Sequence, residues 1–436
     1  MENHKKYFPG QRYVVVFLLF LFMVINFADK AIFGLVAVPL MEELAISPQQ
    51  FGTIAGSFFF LFAISGIVVG FMSNTVSSRL LLVGLVIIWS IAQVPVAMGA
   101  STIAALMACR ILLGIGEGPA YPLALHACYK WFPDQERTWP TAIVMQGGQV
   151  GMLLAGPLVG YLAISHGWRS VFWVTAAAGV LWLVVWAVLG KDGPISATAA
   201  PTTEAGKSFS SSRSAYRHVL LNRSFIGNLL MYWVAYWCAA LVFTWLPAYL
   251  QRGLGFSSDT AGWLFSLCIF VAIPIVSGGS YLSNRFLRQG YSSRVARSLV
   301  TVGFLLAGAL CLLAAAYLNP GPTAGIVLIA LGLSFPQVGF VLCSAISAQI
   351  SPVEKRGSTL AITNSLSTTA GLVAPIVMGR LIQAESGIAG FHQGFALTAL
   401  LLLAGAVLGF ILVDPARTLP QIQAKTGSAL GGPASV

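Results

Sequence analysis

Tyr13 to Val38 reads YVVVFLLFLFMVINFADKAIFGLVAV, 26 residues interrupted only by a polar Asn26 and by one adjacent acid and base, Asp29 and Lys30. About 20 apolar residues cross the hydrocarbon core of a bilayer as a helix, so the stretch is long enough to span it. It is continuously apolar and lacks the alternation of a lipid-facing strand, which makes it a helix and excludes a barrel. A charge at bilayer depth costs about 2.5–3.5 kcal/mol on insertion scales, so such residues are seldom kept without use.

The same kind of run recurs along the chain. Spans fall near 13–38, 49–73, 80–99, 103–128, 139–164 and 170–190, then near 224–250, 260–283, 298–317, 321–349, 357–382 and 390–413. The reading is an all-α integral membrane protein of twelve transmembrane helices in two pseudo-symmetric halves of six. Composition agrees: 57% of the 436 residues are hydrophobic and 8% charged, where soluble domains average about a quarter charged.

The net charge of +11 invites a nucleic-acid partner, but the positions of the charges argue against one. With both termini inside, Arg12, Arg79, Lys130, Arg137, Arg223, Arg285, Arg288, Arg294, Arg297, Arg356 and Arg417 all fall on the inner side. Only Arg169, Arg252 and Arg380 fall on the outer side. Such asymmetry reports topology, and the expected location is the plasma or inner membrane with cytoplasmic termini. Six cysteines all lie in apolar spans without metal-ligand spacing, so they read as small core residues; neither metal nor cofactor is expected.

The domain reading is a first half over 1–190, a cytoplasmic linker over 191–223, a second half over 224–413 and a tail over 414–436. The linker and tail, rich in Ser, Ala, Thr and Gly, read as flexible. The halves echo each other. Pro133 to Arg137 follows the fourth span and Pro352 to Arg356 the tenth, at an offset of 219 residues; Gly151 and Pro157 match Gly371 and Pro375 at 220 and 218. Together these support a duplicated six-helix unit whose halves rock about a midplane site.

The chemistry concentrates in the fourth span, which reads Arg110-Ile-Leu-Leu-Gly-Ile-Gly-Glu117-Gly-Pro-Ala-Tyr-Pro122. Seven residues make about two helical turns, so Arg110 and Glu117 share a face about 10 Å apart. Asp29 and Glu117 are the carboxylates of the apolar spans, and each has a cation near it in sequence, Lys30 and Arg110 respectively. Gly114, Gly116 and Gly118 allow close approach of a helix or a substrate, and Pro119 and Pro122 should bend the next turn. A buried structural ion pair and an anion site that carries a proton both fit these residues.

Asp29-Lys30, Arg110 with Glu117-Gly-Pro, and Trp131-Phe132-Pro133 followed by Glu136-Arg137 resemble the major facilitator superfamily. More narrowly they resemble its anion:cation symporter branch, which includes sugar-acid and phthalate permeases, sialin and the vesicular glutamate transporters. Gln149-Val-Gly, Thr244 to Leu250 and Asn364 look like the same pattern. The resemblance implies that Asp29 and Glu117 carry protons, that Lys30 meets the substrate anion where an arginine is usual, and that Arg110 organises the acidic site. Gln149 and Asn364 would be polar residues of the central cavity, one from each half. Tyr232 and Tyr236, one turn apart, are further candidates for lining it.

Three departures bear on function. Lys30 offers a point charge in place of a planar fork. The loop after the second span has Gly70, Asn74, Thr75, Ser77 and Arg79 where the family has Gly-x-x-x-Asp-Arg-x-Gly-x-Arg, so its acid is missing. Phe27 and Phe62 stand where sugar-acid members place tyrosines, which favours an aromatic or lightly hydroxylated acid over a sugar acid. The sequence therefore reads as a monomeric, proton-driven importer of a small organic anion and not as an enzyme. A uniporter or exchanger is the nearest rival, with its carboxylates fixed in salt bridges; a membrane enzyme is more remote, since no Ser/His/Asp set, metal cluster or phosphate loop is present.

Overall fold

The computed structural model describes residues 10–73, 75–194, 219–318, 321–352, 356–385, 387–418 and 420. Most of the linker, Asn74, residues 353–355 of the second Pro-to-Arg loop, and the end of the tail lie outside the described residues. Among the described residues twelve helices are long and apolar enough to span a membrane. They are α1 (Gln11–Leu35), α2 (Pro48–Met72), α3 (Ser78–Ala97), α4 (Ile103–Tyr129), α5 (Thr138–His166) and α6 (Arg169–Leu189). Then follow α7 (Arg223–Thr244), α8 (Ser258–Arg288), α9 (Arg294–Tyr317), α10 (Pro322–Gln349), α11 (Arg356–Ala384) and α12 (Ala389–Leu412). All six cysteines are free thiols.

Local sequence explains where these helices begin and break. Ser47 accepts from the Gln50 N–H while the Gln50 side chain accepts from the Ser47 N–H, and Pro48 fills the first turn of α2, where its missing N–H costs nothing. Ser77 and Thr102 cap α3 and α4 more simply, their hydroxyls accepting from the Leu80 and Ala105 N–H. Helix α4 stops at Glu117 and resumes at Ala120, because Pro119 lacks an N–H and crowds the preceding turn. Helix α7 ends earlier than its apolar run, at Thr244, and passes through Trp245 into a short helix and a π-helical turn over Tyr249–Gly253.

Packing sorts the chain into two compact units that do not follow chain order. Unit 1 holds 1–198 with 240–270 and 371–394, and unit 2 holds 199–239, 271–370 and 395–436. In unit 1, Phe22 of α1 packs on Trp89 of α3 and Trp182 of α6 at 5.0 and 5.2 Å, and the Trp182 indole donates to the Leu18 carbonyl at 2.8 Å. At the face where α1 begins, Arg12 pairs with Glu136 at 3.1 Å. There Asp192, just after α6, accepts from the Arg79 N–H at 3.3 Å and approaches Lys130 to 3.9 Å. An acid from beyond α6 thus stands at the start of α3, beside the loop whose own acid is missing.

At the opposite face of unit 1, Glu43 accepts from the Trp168 indole at 2.6 Å and pairs with Arg169, while Glu42 pairs with Arg252 at 3.2 Å. The Trp245 indole donates to the Pro375 carbonyl at 3.0 Å, and Phe51 meets the Trp245 ring edge-on at 5.1 Å. Within unit 1, the segment after α1 and the start of α2 are therefore joined to the turn over Trp245 to Arg252, which itself meets Pro375 of α11. Unit 2 is tied by Asn228 of α7, whose amide donates to the Cys343 carbonyl and to Ser347 of α10, both at 2.9 Å. Trp237 donates to Thr398 of α12 at 3.1 Å.

Candidate functional site

The four charges of the apolar spans gather inside unit 1, on α1 and α4. Asp29 and Glu117 are each 1% exposed and Arg110 6%, so all three are cut off from bulk water. Helix α4 runs unbroken from Thr102 to Glu117, which places Arg110 and Glu117 on one face as their spacing predicts. Glu117 closes that segment, and the next residues open the Gly118-Pro119 break. Helix α2 loses its own regularity between Ser57 and Phe62. There the carbonyls of Phe58 and Phe62 touch the positions that a Cβ on Gly114 or Gly118 would occupy. These glycines are thus taken up by helix contact, leaving no room for a substrate against their backbone.

The pairing of the charges differs from the order in which the chain presents them. Lys30 forms an ion pair with Glu117 at 3.2 Å and donates to the side-chain oxygen of Asn26, one turn earlier on α1. Its ammonium lies over the Phe27 ring at 4.4 Å and the Phe62 ring at 5.9 Å, within reach of the negative face of each ring. Asp29 has no cation at ion-pair distance among the described residues. Its polar neighbours are Gln93 of α3 and Thr175 of α6, which approach the carboxylate as donors without closing to full hydrogen-bond geometry.

Arg110 likewise has no carboxylate within 4 Å among the described residues. Its guanidinium is sandwiched between Phe33 at 4.5 Å and Phe58 at 4.8 Å. A delocalised, weakly hydrated cation suits such a slot, where an ammonium would keep a greater demand for water. Two acids and two bases make the cluster formally neutral. That balance limits the cost of burying four charges and makes any added charge conspicuous.

Gln149, on α5, is half-buried and makes no side-chain hydrogen bond among the described residues. Its neighbour Gly148 lies so close to Phe27 that a Cβ there would be 3.0 Å from the ring. The remaining candidates form a separate group in unit 2. The Tyr236 hydroxyl donates to the Asn364 side-chain oxygen at 2.7 Å, and the Tyr232 hydroxyl reaches the same oxygen at 3.4 Å. Ser344 donates to Tyr232 at 3.4 Å, and Phe340 stands edge-on to both tyrosines at 5.6 and 4.8 Å.

Sequence reasoning missed Asn26, Gln93 and Thr175, and the aromatic partners Phe33 and Phe58. Asn26 carried a signal, a polar residue four positions before Lys30 and so one turn beneath it. Gln93 was the one amide in an otherwise apolar third span, which is the same kind of signal.

Comparison with known proteins places this arrangement. The Major Facilitator Superfamily profile matches residues 18–338. The chain is 27% identical over 430 residues to a protein named "Probable sulfoacetate transporter" from Cupriavidus necator, covering 95% of this chain and 97% of that one. It is 26% identical to a "Probable galactarate/D-glucarate transporter" of Bacillus subtilis, with 94% and 96% covered. To the "D-galactonate transporter" of Escherichia coli it is 24% identical, with 94% and 97% covered. Among solved structures, a bacterial homologue of the human lysosomal transporter Spinster superposes with a TM-score of 0.80 at 20% identity, covering 95% of this chain and 99% of that one. A D-xylose–proton symporter gives 0.74 at 17%, covering 93% and 99%; both likenesses concern the fold.

Proposed function

The chain belongs to the Major Facilitator Superfamily, a family of multi-pass membrane transporters, and on that premise we propose that it is a proton-coupled importer of a small organic anion. The observation that carries this reading is the Lys30–Glu117 pair at 3.2 Å inside a neutral quartet that also holds an unpaired Asp29. Lys30 is the one cation of the four that is only partly buried, and it is the one we assign to the anion.

The coupling follows from charge balance. An anion that takes Lys30 leaves Glu117 in the protein interior without its counter-charge. Proton uptake neutralises it, and the two binding events become linked. One proton per negative charge returns the quartet to neutrality. It also removes the electrical cost of moving a charged site, about 2.3 kcal/mol per charge per 100 mV. Asp29, with no ion-pair partner to hold it, is the second station for the proton. Arg110, held between two rings, supplies a fixed field rather than a ligand. The excess of arginine and lysine where α1 and α7 begin supports a cytoplasmic placement of those ends and of both termini.

For the substrate, Phe27 and Phe62 beside the Lys30 ammonium favour a carboxylate with an apolar or aromatic body, since a buried hydroxyl left without a partner costs about 1–3 kcal/mol. A second reading, a hydroxylated acid, rests on the names of the relatives from Bacillus subtilis and Escherichia coli. In that reading Gln149, next in the chain to the Gly148 that meets Phe27, is the partner for a hydroxyl within unit 1.

The test is uptake by the purified protein in proteoliposomes with an imposed pH gradient, using labelled acid and unlabelled benzoate-like acids, aldonates and sulfoacetate as competitors. Uphill accumulation driven by the gradient, with proton entry on substrate addition, is the expected result. Uptake indifferent to the gradient would leave a uniporter or exchanger. Stronger competition by aldonates than by benzoate-like acids would turn the substrate reading toward sugar acids.

A further inference from the structure

We propose that α8, α9 and α10 form a binding site for one anionic phospholipid, with an acyl chain in an apolar cavity and its phosphate held at Arg285. The cavity, about 390 Å³, is walled by Leu282 and Phe286 of α8, Phe335 of α10 and, on α9, Leu299, Gly303 and Phe304. Every side chain that lines it is apolar, and its size falls within the range of small-molecule sites, about 300–1,000 Å³. All of these residues belong to unit 2.

Length argues for a lipid chain over a compact ligand. Along α9 the lining runs from Val295, at the arginine-rich start of the helix, to Ala307. Twelve residues at 1.5 Å each make about 18 Å, close to the depth of one leaflet in a core about 30 Å thick. The first turn of α9 is π-helical from Arg294 to Leu299, and such widened turns recur at functional sites. Gly303 adds room at the floor, since a Cβ there would meet nothing within 4 Å.

Charge argues for an anionic headgroup. Leu282 and Phe286 fall in line along α8, one turn apart, and the exposed Gln289 just past its end continues that line out of the cavity; Arg285 lies less than a quarter turn to one side of it. Arg285 and Arg288 are exposed, and neither has a carboxylate within 4 Å among the described residues. The other two arginines of this corner are engaged, Arg294 with Asp414 at 3.6 Å and Arg297 with Gln349 at 2.7 Å. Tyr291, exposed and edge-on to Phe286 at 5.4 Å, marks the headgroup level, where tyrosine is favoured. Cations without an acidic partner among the described residues, at the end of an apolar slot one leaflet deep, fit a lipid phosphate, and basic pockets between helices are where such lipids bind.

The experiment uses the full chain in detergent, titrated with phosphatidylglycerol, phosphatidylcholine or soluble glycerol phosphate. Bound lipid is counted by native mass spectrometry, and the thermal midpoint is followed in parallel. Phosphatidylglycerol should be retained as one tight molecule, at least about tenfold over phosphatidylcholine. Arg285→Gln should weaken it about fivefold, the share of one basic residue at a membrane surface. Gly303→Leu should abolish retention by filling the slot, with folding checked by an unchanged elution profile. Equal retention of the two lipids, or retention untouched by Arg285→Gln, would overturn the proposal. So would an equal stabilisation by glycerol phosphate, which has no chain to occupy the cavity.

Discussion

Lys30 reaches across from α1 to Glu117 of α4, at 3.2 Å, and its chain neighbour Asp29 has no ion-pair partner among the described residues. The two buried carboxylates therefore occupy different situations, one held by a cation and one not. Substitutions at the two should separate coupling from structure.

Glu117→Gln keeps size and polarity but cannot carry a proton. Gradient-driven accumulation should fall at least about a hundredfold, the scale of losing a positioned proton-transfer group, while counterflow exchange of substrate persists. Accumulation at the wild-type rate in proteoliposomes would remove Glu117 from the coupling path.

Asp29→Asn should fold nearly as well as the wild type, because no ion pair among the described residues is lost with the charge and an amide oxygen can still meet Gln93 and Thr175. A thermal midpoint within a few degrees corresponds to about 1 kcal/mol or less. The proton-to-substrate ratio should change instead, measured as proton flux against labelled uptake. A large drop in midpoint with an unchanged ratio would make Asp29 structural.

Arg110→Leu leaves two buried carboxylates facing one cation and should lower stability, by less than the about 3–5 kcal/mol of breaking a buried ion pair, since no carboxylate lies within 4 Å of the guanidinium among the described residues. Arg110→Lys restores the charge but not the flat group that fits between Phe33 and Phe58, so it should recover only part of the loss. Denaturation in detergent reads both. Wild-type stability of Arg110→Lys would show that the slot does not discriminate between cations.

Glu43 sits outside the spans and supplies a pH dependence. Burial pushes its carboxyl up, but the Trp168 indole and the Arg169 guanidinium outweigh it and hold the group below its ordinary value of 4.5. A depressed acid stabilises the fold above that value, and the contribution disappears as pH falls through the lower, folded one. The midpoint difference between wild type and Glu43→Gln should thus be full at neutral pH and shrink below about pH 4.5. Its size is small, because the Glu43 side chain is half exposed and screened by water. A difference that grew on acidification would contradict the pairing.

The spans were legible to within a few residues because apolar length and bounding polar residues decide them. The break at Gly118-Pro119 was legible for the same local reason. The identities of the four buried charges were also plain, since a charge stands out in an apolar run. Their pairing was not. Adjacent residues on a helix point about 100° apart, so nearness in the chain between Asp29 and Lys30 says little about contact. The Phe33–Arg110–Phe58 sandwich joins three helices, and only tertiary packing could show it. The π-helical turns at Tyr249 and Arg294 had no sequence signal at all.

The lysine at position 30 has one more consequence. An ammonium spins about its own bond and has no plane, so its donors meet a flat carboxylate and a tetrahedral sulfonate with equal ease; a guanidinium fork is matched to coplanar oxygens. On the proposed assignment of Lys30 to the anion, the site weighs the charge of a substrate's head without gauging its outline, and discrimination passes to the body behind it. A carboxylate and a sulfonate on the same carbon skeleton should inhibit uptake within about tenfold of each other, and exclusion of the sulfonate alone would contradict this. Breadth of cargo, more than grip on any single compound, is what such a residue confers.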